Sequence, residues 1–91
     1  MPERVVNNEA EGQYELKVEG ATALAAYRLK DDRISFTHTQ VPPELEGRGI
    51  GTRLIKGALD DVRTRGLRVV PICSFVRHYM ESHDEVRDLL A

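Results

Sequence analysis

The sequence has no tryptophan, few other aromatic residues and no excess of positive charge. Tyrosine occurs three times and phenylalanine twice, and 13 Lys and Arg residues stand against 15 Asp and Glu, for a formal net charge of −2. Proteins that bind nucleic acids usually carry a basic excess, often with aromatic side chains on which bases stack. The composition therefore does not favour a nucleic-acid partner.

Cysteine is nearly absent as well, and no apolar run is long enough to cross a membrane. The lone Cys73 cannot form an internal disulfide, so we expect a reducing, cytoplasmic environment. The first residues show no signal-peptide pattern, and no membrane partner is expected. The spacing of His, Cys, Asp and Glu matches no metal site, so no metal is expected either.

The length of 91 residues, 41% of them hydrophobic, suits one domain with a modest core, and no linker or repeat divides it. We therefore predict a single domain over residues 1–91. In the N-terminal half, apolar and polar residues alternate between turns of small or polar residues, which predicts an antiparallel meander. Its strands are predicted at Val5–Val6, Tyr14–Val18, Ala23–Leu29 and Ile34–Val41, and Pro42 and Pro43 end the last one.

A helix is predicted next, from Ile50 to Arg65, with Gly66 as its left-handed C-terminal residue. Its apolar residues recur at intervals of three and four, as on one buried face: Ile50, Leu54, Ile55, Ala58, Leu59 and Val62. A fifth strand, Leu67–Ile72, and two short helices, Ser74–Glu81 and Asp84–Leu90, follow. Since a helix separates them, the fourth and fifth strands should be parallel, which gives an α+β fold with a mixed sheet.

The segment Gly47–Thr52, Gly-Arg-Gly-Ile-Gly-Thr, lies between the fourth strand and this helix. Glycines at alternate positions remove side chains from the turn, and the free N–H groups of a helix N-terminus favour an anion there. The spacing fits neither a P-loop, since no Gly-Lys-Ser/Thr follows, nor a dinucleotide-binding fingerprint. A phosphate cradle is predicted; the alternative is a turn that only shapes the junction.

This loop resembles the pyrophosphate loop of the GNAT acetyltransferase superfamily, Gln/Arg-x-x-Gly-x-Gly/Ala, and the resemblance covers residues 5–90. It is strongest to a small branch with a cysteine after strand five. It implies a GNAT-like mixed sheet in which the parallel strands four and five splay apart to admit acetyl-CoA. Glu46 stands where the superfamily has Gln or Arg, which predicts weaker binding unless its side chain points away. The implied contacts to acetyl-CoA are Thr39, Val41, Gly47, Arg48, Gly49, Ile50, Gly51 and Thr52.

Three side chains are candidates for catalysis. Cys73 follows strand five at the start of a helix, where first-turn N–H groups favour a thiolate. It accepts the acetyl group, positions the acceptor, or is an inert buried thiol. His38, placed by alternation on the face of Ile34 and Phe36, is a general base or a structural histidine. Tyr79 resembles the tyrosine with which many GNATs protonate the leaving thiolate, but it equally suits helix packing.

The resemblance implies an acetyl-CoA-dependent N-acetyltransferase whose acceptor is a primary amine on a protein lysine, a peptide or a small molecule. The carboxylate usual on strand four of the superfamily is missing, which favours a cysteine route or leaves the base to water. The alternative is a non-catalytic acyl-CoA-binding or interaction module. Full-length members of the superfamily carry helices ahead of this region that cover the acceptor site. No such helix is predicted here, so the resemblance implies an open acceptor side. The sequence sets neither the acceptor nor the oligomeric state.

Overall fold

The computed structural model describes residues 4–91. Five strands form one sheet in which spatial order equals chain order. Neighbours from β1 to β4 pair antiparallel, and β4 pairs with β5 in parallel, so the predicted mixed sheet is confirmed. The strands are β1 Val5–Asn8, β2 Gln13–Val18, β3 Ala21–Lys30, β4 Arg33–Gln40 and β5 Arg68–Pro71.

Two α-helices pack on one face of this sheet: α1, Ile50–Thr64, and α2, Ser74–Ser82. The apolar residues that predicted α1 are all buried, none of them more than 2% exposed. A 3-10 helix, Pro43–Leu45, precedes the glycine loop. The final segment, Asp84–Leu89, forms a second 3-10 helix where the sequence predicted a short helix over Asp84–Leu90. Within residues 4–91, no helix has the length and apolarity needed to cross a membrane.

The position of α1 across the sheet is fixed by close contacts at its middle and end. Any Cβ on Gly57 would overlap the side chain of Val5 in β1. Farther along, the Tyr14 hydroxyl of β2 donates to Asp61 at 2.6 Å, and the same carboxylate oxygen accepts from Arg65 at 2.7 Å. These contacts hold the body of α1 over β1 and β2. Its N-terminus consequently lies beside the end of β4.

The opposite face of the sheet, which we call the open face, carries the strand residues that alternate with the core. In the described chain, none of the strand residues on this face is buried. Pairing places side chains on it in rows that run across neighbouring strands. One row is Arg28–Ser35–Val70 and the next is Lys30–Arg33–Arg68. The two α-helices pack on the other face.

Candidate functional site

β4 and β5 separate toward one end of the sheet, and a cleft opens between them. Their pairing runs from Arg33 and Arg68 to Phe36 and Pro71. The N–H of Cys73 then donates to the carbonyl of Phe36 at 2.8 Å. Beyond this point, β4 continues with β3 as its only strand partner in residues 4–91. Backbone groups on the free side of β4 can therefore bind an extended ligand as another strand would.

A β-bulge in β4 decides which side chains point into this region. Phe36 and His38 pair with consecutive residues of β3, so Thr37 between them is an extra residue. Such an insertion reverses the alternation of the strand beyond it. Thr39 pairs with the buried Ala25 and lies on the helix side of the sheet. The bulge thus turns Thr39 toward the start of α2.

His38 lies on the open face, where its side chain is exposed. Its predicted placement on the face of Ile34 and Phe36 is wrong, because simple alternation does not count the extra residue in the bulge. No hydrogen bond joins His38 to Cys73. Nor does any group of three or more His, Cys, Asp or Glu side chains, in the part of the chain that the structure describes, have an arrangement that could hold a metal ion.

The glycine loop enters α1 in a conformation that favours glycine. The backbone φ is +78° at Gly47 and +71° at Gly49, a region that costs other residues roughly 1–2 kcal/mol each. Gly49 is the N-cap residue, and no side chain among residues 4–91 caps the first turn of α1. The N–H groups of Ile50, Gly51 and Thr52 therefore have no side-chain acceptor. This arrangement suits an anion at the helix N-terminus.

A cavity of about 530 Å³ joins the loop to the end of β4. Its lining contains every predicted cofactor residue except Arg48, namely Thr39, Val41, Gly47, Gly49, Ile50, Gly51 and Thr52. Arg48 instead donates two hydrogen bonds to Glu19, at 2.9 and 3.1 Å, in the turn between β2 and β3. Local spacing could not reveal this contact because Glu19 is 29 residues away in the sequence.

Phe75, Leu45 and Gln40 also line the cavity, and the sequence-based prediction did not include them. Phe75 is 41% exposed in the first turn of α2. A Cβ added to Gly51 would lie 2.7 Å from the tip of its ring. Gly51 therefore makes room for the aromatic wall of the cavity as well as for a ligand. The sequence feature that could have indicated Phe75 as a cavity residue is its position two residues after Cys73.

Cys73 is the N-cap residue of α2, and its Sγ lies 3.2 Å from Oγ1 of Thr39. Partial burial acts to raise the pKa of the thiol. The Thr39 hydroxyl and the backbone amides of Val76, Phe75 and Thr39 outweigh burial, so the pKa of Cys73 lies below its ordinary value. A partly accessible thiol whose thiolate is favoured is the environment of a reactive cysteine.

Tyr79 does not line the cavity. Its side chain is 7% exposed, and its ring stacks on that of His83 with the centroids 3.9 Å apart. Burial raises the pKa of its phenol, and the charges that act on it belong to residues outside the cavity lining, Glu85, Lys56 and Asp60. The structure therefore places Tyr79 in helix packing, outside the lining of this cavity.

Comparison with known proteins agrees with this architecture. The family model of the GCN5-related N-acetyl-transferases matches residues 13–89, from β2 through the second 3-10 helix. The chain belongs to this family. The five-stranded sheet with its splayed parallel pair is accordingly a GNAT fold, as the glycine loop predicted.

Relatives of the chain span nearly all of its length. The protein NATD1 of Mus musculus is 31% identical over 85 residues, which cover 90% of this chain and 77% of NATD1. NATD1 of Homo sapiens has the same identity over 85 residues, covering 90% of this chain and 75% of the human protein. The NMR solution structure of a GCN5-like protein from Staphylococcus aureus matches with a TM-score of 0.73 at 30% identity, over 97% of this chain and 87% of that one.

Proposed function

We propose that the protein transfers the acetyl group of acetyl-CoA to a primary amine. Membership in the GNAT family supports acetyl transfer in general. The observation that carries the finer proposal is one continuous cavity. It joins the glycine loop, the free side of β4 and Thr39, whose hydroxyl touches the Cys73 thiol.

The residues present suit acetyl-CoA at both ends of this cavity. At one end, the uncapped N-terminus of α1 and the glycines with positive φ would bind the pyrophosphate. Between the ends, the free side of β4 would pair with the pantetheine amides. The other end, at Thr39 and Phe75, would hold the thioester next to Cys73. The volume of about 530 Å³ is in the range of small-molecule sites.

The lowered pKa of Cys73 supports a two-step route. In the first step, the Cys73 thiolate attacks the thioester carbonyl, the new sulfur–carbon bond forms and CoA leaves as a thiolate that takes up a proton. In the second, the amine nitrogen attacks the acetyl-cysteine, its carbon–nitrogen bond forms, and the nitrogen loses a proton as the Cys73 thiolate is released. Acetyl-CoA and the amine are thus converted into the acetylated amine and free CoA, and the Cys73 thiolate is regenerated.

A one-step route uses the same cavity without an acetyl-enzyme. The amine nitrogen then attacks the thioester directly, and Cys73 contributes only to placing the acceptor. His38 lies on the open face close to the end of the cleft, so it would accept the amine proton if the amine enters from that face. In this route, Cys73→Ala keeps most of the activity.

Binding of acyl-CoA without turnover is the second candidate function. Glu46 lines the cavity and is exposed there, where its charge opposes that of a pyrophosphate. The strand residues Ser35, Thr37 and Thr39 of β4 supply no carboxylate as a base. A module of this kind would bind CoA and release no thiol when amines are added.

Release of free CoA thiol from acetyl-CoA, measured with and without a panel of amines, tests these proposals. We expect amine-dependent thiol release in the wild type. An acetyl group should appear on the intact protein by mass spectrometry when acceptor is omitted, and should be missing in Cys73→Ala. Cys73→Ser should bind CoA normally but turn over slowly. CoA binding without thiol release for any amine would support the binding module and contradict the transferase.

A further inference from the structure

The open face carries a cluster of three cations, Arg28, Lys30 and Arg33, which we call the basic patch. All three side chains are exposed. Lys30 and Arg33 are directly opposed across the β3–β4 pair, and Arg28 lies two residues before Lys30 on the same face. Like charges in opposed positions destabilise a sheet, so folding alone gives no reason for this arrangement.

The cations of the basic patch differ in their pairing from several arginines elsewhere in the molecule. None of its cations makes an ion pair or a side-chain hydrogen bond in the part of the chain that the structure covers. Several arginines elsewhere are matched with acids, as in Arg48–Glu19, Arg63–Asp88 and Arg65–Asp61. Asp31 and Asp32 occupy the turn beside the patch, yet neither comes within ion-pair distance of it. The whole chain has a formal net charge of −2, so this local positive surface is an exception.

The basic patch lies on the same strand as the candidate catalytic cleft. Pairing of β4 with β5 ends at Phe36, three residues after Arg33, a separation of about 10 Å along a strand. Ser35 and Val70, both half-buried and neutral, lie between the patch and the end of the pairing on the open face. The candidate cofactor cavity is bordered on the helix side by Ile50 and Phe75, which leaves the open face as a route by which an acceptor can approach the cleft.

We propose that the basic patch binds an acidic segment of a peptide acceptor whose amine enters the cleft between β4 and β5. This inference rests on the acetyl transfer proposed above and names the acceptor class. An extended peptide advances about 3.3 Å per residue, so acidic side chains about three positions from the acetylated residue reach the patch. Polyamines, which are cationic throughout, are disfavoured as acceptors because the patch repels them.

A peptide fits the patch better than a nucleic acid does. The patch spans two neighbouring strands, about 5 Å apart, and a few residues along them. The strand residues beside it on the open face, Ala26, Ser35 and Val70, offer no aromatic ring on which a base could stack. Acidic side chains of a peptide, by contrast, need only closely spaced cations such as those of the basic patch.

The test uses three lysine peptides of equal length with Glu, Gln or Arg at the third and fourth positions from the lysine. Acetylation kinetics are compared for the wild type, the double variant Arg28→Gln/Arg33→Gln and the control Lys17→Gln. Lys17 is also an exposed open-face cation and pairs with Thr22, about 20 Å along β3 from Arg28. Urea unfolding of each variant checks that the fold is retained.

We expect the wild type to show a KM for the Glu peptide roughly fivefold below that for the Gln peptide, from two charge pairs at exposed positions. The double variant should lose this preference through KM with kcat unchanged, while Lys17→Gln keeps it, and high salt should abolish it. Equal KM values in the wild type, or equal losses in both variants, would contradict the proposal.

Peptide binding measured by fluorescence anisotropy separates this inference from the transfer itself. If the Glu peptide binds through Arg28 and Arg33 but no peptide is acetylated, the proposed transfer fails and the acidic specificity of the patch holds. If peptides are acetylated without any preference for Glu, the proposed transfer holds and the acidic specificity of the patch fails. A DNA oligonucleotide that displaces the Glu peptide at equal concentration would overturn the assignment of a peptide partner.

Discussion

Among single residues, Cys73 gives the most direct test of chemistry. Because its thiol pKa is lowered, we expect alkylation by iodoacetamide to reach half its maximal rate at a lower pH than for a free cysteine measured in parallel. Thr39→Val removes the hydroxyl at 3.2 Å and should move this midpoint upward. Alkylation rates followed by mass spectrometry across pH measure both effects. A wild-type midpoint at or above that of free cysteine would show that burial raises the thiol pKa by more than the amides and the hydroxyl lower it.

Glu46 permits a second test at the scale of one side chain. Glu46→Gln removes a negative charge from the cavity wall and should tighten CoA binding by about two- to fivefold at low salt, an effect that falls as ionic strength rises. Calorimetric titration with CoA measures it. Glu44→Gln is the matched control, since Glu44 is exposed but does not line the cavity. Equal gains in the two variants would point to net charge rather than to the position of Glu46.

At the scale of elements, Gly51 links the start of α1 to the start of α2. Gly51→Ala places a Cβ 2.7 Å from the Phe75 ring, so the ring has to move. We expect Gly51→Ala to bind CoA more weakly than the wild type. The double variant Gly51→Ala/Phe75→Ala should bind CoA more tightly than the two single variants, taken as independent, would predict. Calorimetric titration with CoA measures all of these affinities. Purely additive losses would mean that the new methyl group obstructs the ligand itself and that Phe75 is not involved.

β4 shows the limit of predicting the face of a side chain from the alternation of residues along one strand. The same rule placed Tyr14, Leu16 and Val18 of β2 in the core, and all three are buried. It failed for His38 because a bulge depends on how β4 pairs with β3, which is a property of two segments and not of one. Strand order, the buried face of α1 and the parallel pair could be predicted, since each follows from spacing within a segment or from chain order.

Contacts between distant segments limited the prediction of the candidate site in the same way. The glycine loop was recognisable because its backbone needs are local, and Gly47 and Gly49 do take positive φ. The pairing of Arg48 with Glu19 and the stacking of Tyr79 on His83 depend on tertiary packing. Spacing within one segment therefore indicated residues that line the cavity, whereas the contact of Arg48 with Glu19 could not be read from it.

Across the whole molecule, the Tyr14–Asp61 hydrogen bond joins the sheet to α1 over 47 residues of sequence. Tyr14→Phe should lower the free energy of unfolding by about 1–2 kcal/mol at pH 7, because the acceptor is a carboxylate. Tyr27→Phe is the matched control, since its hydroxyl donates to the neutral Asn7 and should matter less. Urea denaturation of both variants measures the difference, and equal effects would contradict a special role for Asp61.

The same bond sets a pH dependence. Burial and Asp61 raise the pKa of the Tyr14 phenol above its ordinary value near 10, so the folded state keeps a proton that the unfolded state loses. The stabilisation by Tyr14 is therefore complete below about pH 10 and is lost as the pH rises beyond it. In urea titrations between pH 8 and 11, the wild type should approach the stability of Tyr14→Phe as the pH increases. A constant difference would exclude this linkage.

The strand order of the sheet has a consequence for the order in which the chain assembles. Contacts among β1–β4 join neighbours in the chain, whereas β5 pairs with β4 only after α1 has crossed the sheet. Hairpins form before such crossovers because less loop entropy opposes them. We therefore expect the amides of β5 to exchange with deuterium sooner than those of β3 in the native protein. CoA bound between α1 and the end of β4 should slow deuterium exchange most at the amides of β5. Binding of CoA would then stabilise the part of the sheet that forms last.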